Sequence, residues 1–509
     1  MTAMRPANAP DRSAGILLHP TSLPSPHGIG DLGPGARNFI DWLTAAGLTR
    51  WQILPLVPPG PGFSPYATVS SLATNLLLID LRTLAAWGLL DEREFGPARF
   101  SPDSVDVVAV QNFKIPLLDR AAERFLRNRE NADLAPLQAE YRAFLASADW
   151  LDDVALYLAI RTDRRGLPWW EWGQDLKDRK PEALEAERTR LAGEIDRLRA
   201  LHFFFEKQWS DLHAYAAARG VKIIGDVPIY VDLDSADVWA AREIFQLDAD
   251  GRPQNVAGVP PDFFSKTGQR WGNPLFDWEA LAASGHAFWV RRMKRIFEMV
   301  DIVRLDHFRG FAAYWAVPND AEDARSGSWQ TGPGRALFDD LKAALGDLEI
   351  IAEDLGVIDE PVETLRDDLE LPGMKILQFA FGEGGDHPFL PHNHVARSVV
   401  YTATHDNDTT LGWWLSTSEP IRDHVRRYFA VSGNDIVWDL IRAAMGSVAA
   451  TAIVPMQDVL CLDSRSRMNT PGTAEGNWGW RARADAFNQP LAMRLKSLAK
   501  LYGRAVVGR

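Results

Sequence analysis

A single cysteine, Cys461, occurs in this chain of 509 residues, and one thiol cannot close an intrachain disulfide. The fold must stand without covalent staples, and a reducing, cytoplasmic compartment is expected. No motif surrounds Cys461, which reads as a small core residue at a strand end rather than as a nucleophile. No stretch approaches about 20 uninterrupted apolar residues, so no membrane-spanning helix and no membrane partner is expected. The opening MTAMRPANAPDRS is polar, contains proline and lacks the apolar segment of a secretory leader. Runs of Lys or Arg are short, and the formal charge is −13, with 68 acidic residues against 55 basic ones. That balance disfavours a nucleic-acid surface. Neither a Walker A sequence, a nucleophile-elbow serine, a zinc motif, an internal repeat nor a low-complexity tract is present.

Apolar residues make up 46% of the chain, enough to bury a large core. Tryptophan is abundant, at 19 residues. Trp169, Trp170, Trp172, Trp271, Trp413, Trp414, Trp478 and Trp480 stand in polar or glycine-rich surroundings. Flat aromatic faces near loops suit the C–H faces of sugars.

Strand-like runs recur at 14–20, 50–56, 75–81, 222–231, 301–311, 349–356, 374–381, 399–407 and 452–460, and helical stretches such as 36–47 and 287–300 follow most of them. This alternation predicts an α/β fold, a (β/α)8 TIM barrel with large, mainly helical insertions. Such a barrel needs about 250 residues, so about half the chain is extra structure. Residues 1–13 read as a disordered or extended tail and 14–509 as one catalytic barrel. A helical insertion is expected at about 82–215, where Trp150, Leu151, Val154, Ala155 and Leu158 fall on one helix face. Leu191, Ile195, Leu198, Phe205, Trp209 and Leu212 do the same further on. Loop insertions are expected at about 251–278, 318–335 and 461–482.

Four of the strand-like runs end in acids: KIIGDVPIYV (222–231), DIVRLDHFRGF (301–311), EIIAEDLG (349–356) and VVYTATHDN (399–407). A carboxylate just past a buried parallel strand lands at the barrel mouth, where chemistry is placed. Asp226, Asp306, Glu353 and Asp406 therefore converge on one cleft. In RLDHF, Arg304 and Asp306 are two apart and share a face. A cation beside a carboxylate keeps it ionised, as an attacking group requires; a structural ion pair at a strand end has the same appearance. Glu353 leaves an apolar strand beside Asp354, a setting that raises a carboxyl toward general-acid use, or leaves it a solvated strand-end charge. In THDN, His405 and Asp406 suit binding of hydroxyls. Metal ligation through the nearby His392 and His394 is disfavoured, because PHNH is a loop without a strand or helix to fix geometry.

GIGDLG (28–33) matches GxGxxG, yet the preceding strand ends near Pro20, eight residues too early, and no acid follows about 20 positions on. A dinucleotide site is rejected, and a glycine-rich loop rimming the cleft is expected. Paired acids at a barrel mouth are the apparatus of retaining glycoside chemistry, one attacking the anomeric carbon and the other moving the proton.

The motifs GILLHPTSLPSPHGIGDLG (15–33), WQILPLVPPGPGFSPY (51–66), GVPPDFFSKTGQRWGNPLFDW (258–278), VRLDHFRGF (303–311), IAEDLG (351–356), THDN (404–407) and RMNTPGTAEGNWGWR (467–481) follow one another in order. On them the chain resembles the 4-alpha-glucanotransferases (amylomaltases, disproportionating enzymes), in their short form, across almost its whole length. The resemblance implies transfer of an α-1,4-glucan segment to the 4-hydroxyl of glucose or another glucan through a covalent glycosyl-enzyme, with no cofactor and no metal. The implied partners are an α-1,4-glucan donor and a glucose or maltooligosaccharide acceptor, handled by a monomer or homodimer. It makes Asp306 the nucleophile, Glu353 the acid/base and Asp406 the third carboxylate. Arg304, His307, His405, Asp226 and Tyr66 correspond to residues lining the −1 subsite, with Tyr66 as stacking platform. Ser64, Gln269, Trp271, Asp354 and Asn477 correspond to contacts on flanking loops, and the Trp271 and Trp478 loops to a lid that favours sugar over water. Phe264 and Phe276 stand where the family often has tyrosine, a change expected to touch loop anchoring and not chemistry. A hydrolase of the α-amylase type would share the acids, whereas a non-catalytic glucan binder would not need Asp306 and Glu353.

Overall fold

The computed structural model describes residues 12–96, 98–128, 131–261 and 265–505. Eight short strands carry the architecture: β1 (Ser13–Leu17), β2 (Arg50–Gln52), β3 (Lys222–Val227), β4 (Ile302–Leu305), β5 (Ile350–Ala352), β6 (Gly373–Ile376), β7 (Ser398–Tyr401) and β8 (Thr451–Pro455). They pair in parallel in the order β6-β7-β8-β1-β2-β3-β4-β5. The Ala352 N–H donates to the Pro372 carbonyl at 2.9 Å, which brings β5 to β6 and closes the ring. The fold is a (β/α)8 barrel. Its strands are almost wholly buried, so their Ile, Val and Leu content supplies the core rather than one face of it. Helices such as α1 (Pro34–Ala45) and α2 (Ala287–Phe297) cover the outside with alternate apolar faces.

Between β2 and β3 the chain builds a helical layer. A 21-residue helix, Val107–Arg127, and a 26-residue helix, Ala192–Ala217, pack against each other. Phe125 meets Phe203 and Phe204 there at ring-centroid distances of 5.9 and 5.3 Å. Each fully buried phenylalanine contributes about 2 kcal/mol, so this layer is held by its own core. Trp169 and Trp172 belong to it as well. They are 0% and 3% exposed, against the expectation of open sugar-facing rings, because the surrounding charged residues lie on its outer side while the indoles point in.

Other expectations are corrected. NLLLIDL (75–81) is not a strand: Leu76–Leu78 forms a 3-10 turn whose N-cap, Asn75, accepts the Leu77 N–H, and a helix starts at Leu81 behind the Asp80 cap. The segments 251–278 and 318–335 are not only loops. They supply strands Asn255–Val259, Gln269–Pro274 and Ser328–Thr331, which join Ala313–Pro318 in a four-stranded antiparallel sheet beside the barrel mouth. The glycine-rich loop at 28–33 does not rim a cleft but is packed solid: a Cβ on Gly30 would lie 1.9 Å from the Pro20 carbonyl oxygen. Cys461 is exposed, at the end of a helical turn (Met456–Val459) with φ of 53°. Of the 1–13 tail only Arg12 and Ser13 lie within the described residues, and Ser13 opens β1; Phe264 lies outside them. Among the described residues no helix is long and apolar enough to cross a membrane.

Candidate active site

Strand register sets the centre of the site. Asp226 on β3 lies beside Arg304 on β4, and Leu305 on β4 beside Ala352 on β5. Positions two apart share a face, so Asp226, Arg304, Asp306 and, one step past β5, Glu353 project together at the mouth. The Arg304 side chain is 3% exposed, and its Nη1 lies 2.8 Å from both oxygens of Asp226 and from Oδ1 of Asp306. Asp226 also accepts the Tyr66 hydroxyl at 2.7 Å. Burial raises the Asp226 carboxyl above its ordinary pKa while Arg304 pulls it back. The Tyr66 phenol is raised well above its ordinary value by burial and by the charge of Asp226.

Glu353 sits on the far side of Asp306. Its Oε2 accepts the His307 N–H at 2.6 Å and its Oε1 the Leu355 N–H at 3.1 Å. Burial lifts its pKa well above the ordinary glutamate value, and Arg304 opposes that rise. Asp306 and Asp354 add to it by repulsion, whereas the His307 amide favours the charged form. The amide is delivered by a left-handed turn at His307, φ 52°, a conformation costly for a non-glycine residue. The His307 imidazole is pushed down to about 4 by burial, against the pull of Asp306. Its ring meets Trp271 edge-on at 4.8 Å and 83°.

The third acid arrives on the segment after β7. Asp406 Oδ1 accepts the Asn469 side-chain amide at 2.6 Å, and Arg467 donates to the Asp406 carbonyl at 2.6 Å. His405 Nε2 lies 3.3 Å from Asp406 Oδ2. The His405 ring stacks on Tyr66 at 5.1 Å and 11°, and Trp478 leans against both rings at 5.8 and 6.0 Å. One face of Tyr66 is thus already covered, and Trp478, 7% exposed, is part of this wall rather than of an open flap. Asn469 and Arg467 were not singled out from the sequence, since nothing in RMNTPG marks which polar residue turns inward.

The flanking positions divide. Trp271, 39% exposed, donates through Nε1 to Gln269 Oε1 at 3.2 Å, so both stand at the cleft edge on the accessory sheet. Ser64 Oγ accepts the Tyr66 N–H at 3.2 Å. Asn477 accepts the Thr470 N–H and donates to the Thr473 carbonyl, which pins its own loop. Asp354 is turned away: its oxygens take Arg366 Nη1 and the Met374 N–H, both at 2.6 Å. It ties β5 to β6, because the pleat sends consecutive residues to opposite sides. Phe276 is buried and stacks on Phe245. His392 and His394 are engaged with Tyr428 and Ser447. Among the described residues, one group, His27, Asp31 and Asp80, has metal-ligand spacing. The buried Lys114 ammonium lies within electrostatic reach of both carboxylates and supplies the opposing charge.

An eight-stranded barrel with carboxylates around one buried arginine, walled by aromatic rings, is the frame of a carbohydrate-active enzyme that works with a nucleophile and an acid. The profile of the 4-alpha-glucanotransferase family matches residues 18–486. The chain is 49% identical over 501 residues to the 4-alpha-glucanotransferase of Synechocystis sp., covering 97% of this chain and 98% of that one. It is 45% identical over 498 residues to that of Thermus thermophilus, covering 96% and 98%. The solved structure of an amylomaltase from Streptococcus agalactiae in complex with acarbose is similar, with a TM-score of 0.93 at 37% identity, covering 97% of this chain and 100% of that one. The chain belongs to the 4-alpha-glucanotransferase family, whose enzymes pass α-1,4-glucan segments between chains with retention of configuration.

Proposed function

We propose that Asp306 is the nucleophile and Glu353 the acid/base of a double displacement on α-1,4-glucans. Protonated Glu353 gives its proton to the glycosidic oxygen as Asp306 bonds to the anomeric carbon and the reducing-end fragment leaves. The 4-hydroxyl of glucose or a maltooligosaccharide then attacks that carbon, its proton passes to Glu353, and Asp306 is released. Retention needs the two carboxyls about 5–5.5 Å apart, the order of spacing that same-face positions at the ends of neighbouring strands provide, about 4.8 Å. The observation that carries this reading is the division of labour around Arg304: its guanidinium pairs directly with Asp306, whereas Glu353 has its pKa well above the ordinary value. An ionised attacker and a protonated donor are what the first step requires.

In this reading Asp406 and His405 hold the hydroxyls of the −1 sugar, Asp226 and Arg304 fix the electrostatics beneath it, and Tyr66 packs beside it. His307, Trp271 and Gln269 form the edge where the acceptor enters, and the exposed indole of Trp271 favours sugar over water. Residues 14–509 act as one catalytic unit in which the helical insertion serves as a wall. Incubation with maltotriose tests the activity. A transferase yields glucose plus a ladder of longer chains, and an outcome of shorter sugars alone refutes it. Trp271→Ala is expected to raise hydrolysis relative to transfer; an unchanged ratio removes the role given to that residue.

A further inference from the structure

Beside His405 lies a small cavity, about 20 Å³, lined among others by His19, Thr404, His405, Gln457, Asp458 and Arg467. One water needs about 10–15 Å³ and two or more polar partners. His19 follows β1 and is 5% exposed. Its Nδ1 accepts the Leu54 N–H at 3.2 Å. A neutral imidazole that accepts at Nδ1 carries its proton on Nε2, and burial keeps this ring neutral, its pKa lowered from 6.5 to about 3. His19 is therefore a fixed Nε2–H donor at a wall of the cavity.

The other polar groups facing that space are engaged. Asp458 accepts from the Thr402 hydroxyl and from the amide and hydroxyl of Thr410. Asp408 accepts the Thr409 N–H and the Ser464 hydroxyl. Thr404 donates to Asn407, Gln457 to the Ser466 carbonyl, and Arg467 to the carbonyls of Asn469 and Asp406. His405 has Nε2 toward Asp406, which leaves Nδ1 as its remaining ring nitrogen.

We propose that a water in this cavity accepts the Nε2–H of His19 and donates to His405 Nδ1, so that His405 keeps its own proton on Nε2, toward Asp406 and the sugar. His19 is then a positioning residue that acts through His405, because the hydrogen bond at one ring nitrogen decides which nitrogen carries the proton. The inference rests on the reading of His405 as a −1 subsite residue.

Two isosteric replacements separate this role from simple support of Leu54. His19→Asn keeps an acceptor near the Leu54 amide and, being shorter, withdraws the N–H from the Nε2 position. His19→Gln restores an N–H near the Nε2 position and gives up the Leu54 acceptor. In disproportionation of maltotriose, His19→Asn is expected to lower kcat about five- to tenfold, the worth of one such hydrogen bond, with KM within about twofold and the melting temperature near that of the parent. His19→Gln is expected to recover most of kcat while melting lower. The reverse order, with Asn active and Gln impaired, overturns the proposal. The parent enzyme gives a second readout through its ¹⁵N-histidine spectrum. His405 as the Nε2–H tautomer, lost in His19→Asn, supports the proposal, and an Nδ1–H tautomer in the parent overturns it even where neither variant folds. An unchanged kcat in His405→Ala instead overturns the subsite reading and the inference with it.

Discussion

The two ends of the barrel each bury an arginine, in opposite company. At the mouth Arg304 pairs with Asp226 and Asp306 and lies within electrostatic reach of Glu353. At the base Arg504, 1% exposed, directs each of its three nitrogens to backbone carbonyls: Nε to Met445, Nη1 to Ser13 and Ala450, and Nη2 to Ala444, Ser447 and Ala449. Those carbonyls belong to the start of β1, the approach to β8 and the end of helix Ile436–Gly446, so one side chain staples the first strand to the last. Carbonyl dipoles do not titrate; carboxylates do. The base gains a tie whose acceptors do not titrate, although burial lowers the Arg504 pKa from its ordinary value to about 9, whereas the mouth holds more acid than one cation can neutralise. Burial first, and then the charges of Asp306 and Asp354, hold the Glu353 pKa well above its ordinary value against the pull of Arg304.

Mutations can break this contrast. The largest effect is expected at the mouth. Asp306→Asn or Glu353→Gln is expected to lower kcat on maltotriose by on the order of 10⁴-fold, with thermal unfolding unchanged or raised, since a crowded charge has gone. The pH dependence follows from that raised pKa: the rate falls as pH rises through it, because Glu353 must carry its proton. At the base, Arg504→Met is expected to cost about 3 kcal/mol in urea unfolding, since several buried carbonyls lose their donor at once, and to leave kcat unaltered. An effect of Arg504→Met on kcat alone would erase the distinction between the two ends.

Smaller effects sharpen it. His202, buried in the helical layer and bonded to Thr74, has its pKa lowered from 6.5 to about 3, first by burial and then by Arg295 and Arg197. A depressed histidine contributes its full stability above pH 6.5, and this is lost as pH falls toward 3 because the unfolded chain takes up the proton first. His202→Gln should therefore reduce the loss of unfolding free energy between pH 7 and pH 5 by about 2 kcal/mol. The mildest change is Tyr66→Phe, which removes one hydroxyl from Asp226. A five- to tenfold loss in kcat/KM is expected, about 1 kcal/mol, with stability near the parent's.

Much of this was legible in the sequence, for reasons that also explain what was not. The acids at the ends of β3, β4, β5 and the segment after β7 follow buried apolar runs, a pattern local enough to read. That Asp226 stands beside Arg304 is a matter of register between strands separated by more than 70 residues, which no local pattern carries. NLLLIDL reads as a strand by composition and folds as a turn because Asn75 and Asp80 cap its two ends. Asp354 shows the limit of neighbourhood: adjacent to Glu353 in the chain, it faces the other side of the pleat and serves Arg366. Trp169 and Trp172 show the limit of composition, since the helical layer buries rings whose sequence neighbours are charged. His19, Arg467 and Asn469 sit in recognisable motifs, yet only the packing around His405 and Asp406 distinguishes them from their neighbours.

In the proposed double displacement Asp306 carries the sugar while Glu353 carries the proton. An α-maltosyl fluoride donor needs no acid to leave, so Glu353→Gln should still be glycosylated by it and should release the sugar slowly for want of a base. Mass spectrometry of the proteolysed adduct is expected to place the added sugar on Leu305–Arg309, at Asp306. A label on Asp226 or Asp406, or no covalent adduct under conditions where fluoride is released, would contradict the claim.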